Sequence, residues 1–219
     1  MKKNEIIKYI SDQLFLFFPQ ENDKKLRYDS DLFYLSLVVE KTSEEFSEIL
    51  NKVKIFNSLS IDPYHIMQYP IYLYKLSRNL YLNNEEDKYR LKDRIHALNK
   101  YLHGVSIFYK VKMPDVFFLN YSTGIVVGEG DFSNNLVIYQ GVTIGRINKE
   151  DKPKIGSDVI LMPNCLVSGR SEIGKNSVIS SGVRIINKTV PDNTIVFENN
   201  GSLIFKNNKS DYIKKYFSV

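Results

Sequence analysis

The chain has 219 residues, 43% of them hydrophobic, which suffices for a substantial core in one domain or two. Lys and Arg outnumber Asp and Glu by 30 to 25, but the basic residues are scattered through both halves, which argues against a nucleic-acid footprint and fits solubility or a pocket for an anion. A single cysteine, Cys165, excludes an internal disulfide, no stretch approaches a membrane span, and the opening MKKNEIIKYISDQ breaks its apolar residues with polar ones, unlike a signal peptide; together these predict a cytoplasmic protein.

The first part reads as helical. Ile6, Ile10, Leu14 and Phe17 fall on one helix face, and Thr42 with Glu45 has the form of a capping box ahead of Phe46, Ile49, Leu50 and Val53. Pro63 and Pro70 punctuate a turn, after which Tyr72 to Leu80 and Tyr89 to Leu102 carry amphipathic helical patterns. All 11 glycines lie at or after Gly104, so the architecture is expected to change there. The expected division is an α-helical domain over 1–103, a repeat domain over 104–190 and a C-terminal tail over 191–219 that leaves the repeats and forms a short helix against a neighbour.

From Ile107 the period becomes six. Large apolar residues recur at Ile107, Met113, Leu119 and Ile125, at Phe132, Ile138 and Ile144, and at Ile155, Leu161, Val167, Ile173, Ile179 and Ile185. Small or β-branched residues follow four positions later, at Val111, Thr123, Val142, Val159, Cys165, Ser171, Ser177 and Val183. Neither an α-helix nor an alternating strand has this period. A triangular parallel solenoid does: each six-residue side buries one large residue and one small corner residue, and Gly, Asn and Asp ease the turns. The register slips by one residue before Phe132 and by an insertion, GRINKEDKPK over 145–154, which must project from its side.

The segments Thr123-Gly124-Ile125-Val126-Val127-Gly128-Glu129, Gln140-Gly141-Val142-Thr143-Ile144-Gly145 and Pro153-Lys154-Ile155-Gly156 resemble the serine acetyltransferases, hexapeptide-repeat enzymes with a helical N-terminal domain. The likeness covers about Leu102 to Pro191. It implies an α+β fold, a helical domain followed by a left-handed parallel β-helix, with the left hand coming from the family alone, since the general rule for parallel crossovers favours the other. It also implies a homotrimer or a dimer of trimers, with acetyl-CoA as acyl donor in the groove between neighbours and no metal.

The family's Asp-His pair falls on Asn120-Tyr121 and its Arg-His pair on Asp151-Lys152, so both histidines that would serve as base are replaced. A free phenol titrates near about 10 and a free ammonium near about 10.4, so either group needs its environment to make it a base at neutral pH. Three readings follow: Tyr121 or Lys152 acts in a shifted environment, an amine acceptor needs less help, or the fold persists without the chemistry. By alignment with the family, Gly145, Arg146, Pro163 and Ser181 line the path of coenzyme A, Lys188 meets a phosphate, and Asp62 and Asp151 contact the acceptor. Asp62 precedes Pro63, so a plain turn is equally expected of it.

The three histidines, His65, His96 and His103, all precede the repeats, which leaves no imidazole there to hold a metal. His103, just ahead of the first coil, reads more readily as structural than as a base, and Cys165 as packed rather than nucleophilic. The functional expectation is an acyl-CoA-dependent O- or N-acetyltransferase, acting on a sugar or nucleotide-sugar of surface polysaccharide synthesis rather than on free serine. The alternative is a catalytically degenerate binding or scaffolding protein of the same fold.

Overall fold

The computed structural model describes residues 3–20, 30–56, 58–83 and 90–218, and the side chains of 30–34 lie outside that description. Among the described residues four helices come first: α1 (Lys3–Phe17), α2 (Ser30–Lys52), α3 (Tyr69–Leu82) and α4 (Leu91–His103). On α1 the expected face is the buried one, with Ile6, Ile10 and Leu14 in the core.

The box at Thr42 and Glu45 is not a helix start. Helix α2 begins at Ser30 and runs through it; the Thr42 hydroxyl donates back to the Val38 carbonyl, and Glu45 accepts from Asn79 Nδ2. A mid-helix threonine can bond the preceding turn in this way, and the same residue types then imitate a cap in sequence. Nor is α3 amphipathic, since Tyr69 to Ser77, Asn79 and Leu80 are buried on every side between α2, α4 and the first coil. Pro70 lies in its first turn, where a missing N–H costs nothing. Tyr89, the expected start of the next helix, lies outside the described residues; α4 starts at Leu91 and stops at Gly104, whose φ of +65° is the left-handed C-cap a glycine supplies most cheaply.

The solenoid follows as three parallel sheets, from β3 to β14 each taking every third strand. A five-stranded sheet joins β1 (Ser106–Ile107), β3 (Val126–Val127), β6 (Thr143–Gly145), β9 (Leu166–Ser168) and β12 (Arg184–Ile186). A four-stranded sheet joins β4 (Asp131–Phe132), β7 (Lys154–Ile155), β10 (Glu172–Ile173) and β13 (Thr189–Val190). The third joins β2 (Phe117–Asn120), β5 (Leu136–Tyr139), β8 (Ile160–Leu161), β11 (Val178–Ile179) and β14 (Thr194–Asn199), and β15 (Ser202–Asn207) closes it antiparallel.

Register stacks the inward residues in columns, Ile107, Val127, Ile144, Val167 and Ile185 in one, Phe132, Ile155, Ile173 and Val190 in the second, Leu119, Ile138, Leu161, Ile179 and Val196 in the third. Phe132 alone of these is only half-buried. Each buried side chain contributes roughly 1.5–3 kcal/mol of transfer free energy, repeated at every coil.

One column differs from expectation. Val127, not Ile125, is level with Ile144; Ile125 is level with Val142 at the corner, and Thr123 is exposed. Leu119 to Val127 therefore spans eight residues where Ile138 to Ile144 spans six, while Val127 to Phe132 spans five. The apparent one-residue slip before Phe132 is a two-residue insertion at the Tyr121 corner minus one residue at the next corner.

The solenoid also runs past 190. Strand β14 pairs with β11 in parallel, and the chain then turns back through a 3₁₀ turn, Tyr212–Lys215, onto its own helical domain. There Val53 bridges Phe217, Lys54 N–H donates to the Tyr216 carbonyl, and the Tyr216 hydroxyl meets that of Tyr139 at 2.7 Å. The expected short helix thus docks within the chain, because Ile213 and Phe217 bury against its own core.

Candidate active site

The two corners flanking the five-stranded sheet carry almost all of the candidate residues. One corner, the tyrosine edge, lies between the six-stranded and five-stranded sheets. Its backbone stacks coil on coil: Gly124 N–H donates to the Gly104 carbonyl, Gly141 to Thr123, Asn164 to Gln140 and Gly182 to Pro163. Tyr121, Pro163 and Ser181 all lie on it. At Gly141, φ is +69°, which strains any side chain, and an added Cβ would come within 2.0 Å of Asn164 Oδ1, so the Asn164 side chain would have to move.

Tyr121 occupies the two-residue insertion of this edge. Its φ is +50°, and among the described residues with positive φ it and Arg90 are the two that are not Gly, Asn or Asp. The left-handed region costs a bulky residue about 1–2 kcal/mol, and strain of this kind persists where surroundings impose it. The residue is 61% exposed and its hydroxyl has no hydrogen-bond partner among the described residues, so the strained corner leaves Tyr121 out in solvent. Asn120, the last residue of β2, is buried beside it and level with Tyr139.

Beneath this edge sits His103. Its ring packs edge-on against Tyr69 at 5.5 Å, its Nε2 is buried without a partner, and burial pushes its pKa down to about 4. The imidazole is neutral at pH 7 and partly buried. One coil further along the edge, Gln140 also buries an unpartnered oxygen, Oε1. The Asp62 turn approaches the same end of the solenoid, since Phe56 stacks on both His65 and Phe118 of β2. Asp62 is exposed, and its Oδ1 accepts from Tyr64 N–H, the turn geometry that was the equal alternative for this residue.

The other corner, the loop edge, lies between the five-stranded and four-stranded sheets and carries Gly145, Arg146, Asp151, Lys152 and Lys188. The loop projects, with residues 146–150 exposed, but its base is braced to neighbouring coils. Arg146 Nη1 donates to Glu129 Oε2 at 2.7 Å and Lys152 Nζ to Asp131 Oδ1 at 2.8 Å, both in the coil before. Asp151 is buried and accepts from Asn148 Nδ2 at 3.0 Å and from Arg170 Nε in the coil after. Those two donors, Arg170 foremost, hold its carboxyl below the usual carboxylate range. Its oxygens serve the loop rather than facing an acceptor.

Gly145 is bare, with nothing within 4 Å of an added Cβ. Lys188 is exposed and has no ion-pair partner among the described residues. The bracing residues Glu129, Asp131 and Arg170 escape a reading by motif. Their signal is the coil spacing, since they lie 17, 21 and 19 residues from Arg146, Lys152 and Asp151.

From Gly141 to Gly145 is four residues, roughly 13 Å at about 3.3 Å per strand residue, so the two edges do not meet as one hydrogen-bonded cluster within a chain. Among the described residues no group of three or more His, Cys, Asp or Glu is placed to hold a metal. Cys165 is buried and its thiol is pushed up to about 12 by burial, a packed thiol. Among the described residues no helix is long and apolar enough to cross a membrane.

A six-residue period, three parallel sheets and inward columns define a hexapeptide-repeat solenoid protein, and residues 152–187 match the family described as bacterial transferase hexapeptide (six repeats). Within that class the chain is similar to the serine acetyltransferases. It is 30% identical over 125 residues to that of Bacillus pumilus and 27% over 143 residues to that of Bacillus subtilis, matches that cover 55% and 64% of this chain. The chain spans 57% and 64% of the length of these curated relatives.

Solved structures share the whole architecture. Serine acetyltransferase from Brucella abortus in complex with coenzyme A superposes with a TM-score of 0.66 at 19% identity, covering 94% of this chain and 83% of that one. The Neisseria gonorrhoeae enzyme gives 0.64 at 21%, covering 98% and 84%. At these identities the likeness establishes the fold, helices followed by a parallel solenoid.

Proposed function

We propose that the chain is an acyl-CoA-dependent acyltransferase that passes an acetyl group to the hydroxyl or amine of a sugar or nucleotide-sugar of surface polysaccharide synthesis rather than to free serine. The observation that carries this reading is Tyr121, a solvent-facing phenol held at positive φ where the similar family keeps its basic histidine. The replaced histidines argue against the family's serine chemistry, and the groove residues support retention of the donor.

In this scheme the acceptor oxygen or nitrogen attacks the thioester carbonyl, the new C–O or C–N bond forms as the C–S bond breaks, and coenzyme A leaves as the thiol with the acceptor's proton. Tyr121 relays that proton, its hydroxyl oxygen taking it from the acceptor as its own hydroxyl proton passes to the leaving sulfur, and Asn120 orients the acceptor, with the second carboxylate oxygen of Asp62 a further contact. Gly145, Pro163 and Ser181 leave the donor's path open, while Arg146 and Lys188 meet its phosphates, Arg146 by exchanging an exposed ion pair of little worth. Lys152 faces the acceptor from the loop edge. Because the edges are roughly 13 Å apart in one chain, the site closes between neighbours, the tyrosine edge of one against the loop edge of another, in a homotrimer or a dimer of trimers.

The test is thiol release from acetyl-CoA against serine and a panel of sugar, nucleotide-sugar and amine acceptors, beside thermal unfolding with the cofactor. The expected result is release with a sugar-type acceptor and a raised melting temperature. No thermal shift at millimolar acetyl-CoA overturns the reading. A shift without release on any acceptor leaves the degenerate binding protein as the account.

A further inference from the structure

The tail that turns back after β15 lays Tyr216 against the outer face of the six-stranded sheet, close to the tyrosine edge. Successive strand residues face opposite ways, so with Leu119 and Ile138 inward, Phe118 and Asn120 of β2 and Tyr139 of β5 look outward. Asn120 and Tyr139 are level on neighbouring strands, about 4.8 Å apart. The Tyr216 ring packs on both Phe118 and Tyr139, with centroids 6.2 and 6.3 Å away, and its hydroxyl meets that of Tyr139 at 2.7 Å. No step of acyl transfer uses this phenol pair.

The same line of rings continues to the Asp62 turn. Phe118 packs on Phe56 at 5.5 Å and Phe56 on His65 at 5.3 Å. His65 belongs to the turn, its N–H donating to the Asp62 carbonyl and its Nδ1 accepting from Met67 N–H. Asn120 and Tyr121 therefore stand at one end of this line and Asp62 at the other. The tail holds Tyr216 from the helical domain, because Lys54 N–H donates to the Tyr216 carbonyl, Ser218 N–H donates to the Lys52 carbonyl, and Ile213 and Phe217 are buried. Its main chain is thus fixed on the end of α2 while its hydroxyl is fixed on the solenoid. An acceptor held by groups on two domains attacks well only while those groups keep their separation, since a misplacement of about 1 Å costs on the order of 10²-fold.

We propose that Tyr216 is a positioning residue: bonded to Tyr139 and packed on Phe118, it fixes the separation between the Asp62 turn and the Asn120–Tyr121 strand end, and so the fit of the acceptor between them. This rests on the acyl-transfer reading, which supplies Asp62, Asn120 and Tyr121 as acceptor contacts.

The experiment has two arms on the full chain. In the first, kinetics are measured for Tyr216→Phe, Tyr139→Phe and the double variant, which keep the rings and remove the hydroxyl pair. Each should raise the KM for the acceptor roughly three- to tenfold, the worth of one hydrogen bond, with the double variant no worse than either single one and the KM for acetyl-CoA unchanged. In the second, amide hydrogen exchange of Tyr216→Ala is compared with wild type. The segments around Asp62 and around Asn120 should both exchange faster while β9 to β12 keep their protection. Should that variant fail to fold, Tyr216→Leu takes its place. A lowered melting temperature with both KM values unchanged, or faster exchange confined to the tail and the end of α2, overturns the proposal. Absence of thiol release by the wild type on any acceptor overturns the acyl-transfer reading instead, and the exchange arm then decides by itself whether Tyr216 links the two segments.

Discussion

The two edges of the five-stranded sheet are built from the same stacked coils, yet they hold their exposed side chains by opposite means. On the tyrosine edge, backbone bonds between coils fix the corner and leave Tyr121 unbonded, so position comes from a strained main chain. On the loop edge the main chain is free to project, and position comes from side-chain bonds to the coils on either side, Glu129 and Asp131 below and Arg170 above. A main-chain corner leaves its side chain available for chemistry. A side-chain brace consumes the charges that do the holding, which is why Asp151 is engaged and Tyr121 is not.

The sharpest way to break this comparison lies beneath the tyrosine edge, at His103. Its folded pKa of about 4 lies below the ordinary value near 6.5. The unfolded chain therefore takes up the proton first, and the stability that the neutral ring confers is complete above pH 6.5 and lost as pH falls toward 4. The ring is only partly buried, so solvent screening leaves that loss at about 1–2 kcal/mol. Urea unfolding between pH 7 and pH 4 should show it in the wild type, and His103→Gln should flatten that part of the profile. A variant with the same slope as wild type would mean that the ring is solvated and the edge less closed than its packing on Tyr69 indicates.

Tyr121→Phe addresses the edge itself. It keeps the ring and the corner and removes only the hydroxyl, so turnover on the true acceptor should fall roughly 10²-fold, the scale of a lost proton acceptor, with KM and melting temperature nearly unchanged. Full activity would reduce Tyr121 to a filler of its corner, and the search for the base would move to Lys152.

The smallest expected effect belongs to the loop edge. Asp151 has its carboxyl held below the usual range by Arg170 and Asn148. Its contribution is present above the unfolded value near about 3.9 and is lost as pH falls through the lower folded value. Asp151→Asn should therefore differ from wild type by a constant small margin at neutral pH, and the two should converge in acid. A margin that does not shrink at all as pH falls below about 3.9 would assign the brace to packing rather than to charge.

The sequence by itself determined the solenoid, because a side that buries one large residue in six must repeat that pattern locally, and twelve of the thirteen period-six residues are buried. It also located the change of architecture at Gly104, since a left-handed cap and tight corners call for residues the helices avoid. What it could not decide were matters settled between coils. Ile125 is apolar and six residues from Leu119, so its sequence pattern satisfies the period, and only the pairing of Val127 with Ile144 shows it to be a corner residue and Tyr121 to sit on an insertion. Thr42 and Glu45 imitate a cap because the same hydroxyl serves equally well bonded to the preceding turn. The candidate residues were legible as types, but their division between two edges, the brace from Arg170 and the docking of the tail through Phe217 depend on contacts 17 to 164 residues apart in the chain. Local pattern records which residues must be buried; which side chains then meet is decided only when the coils stack.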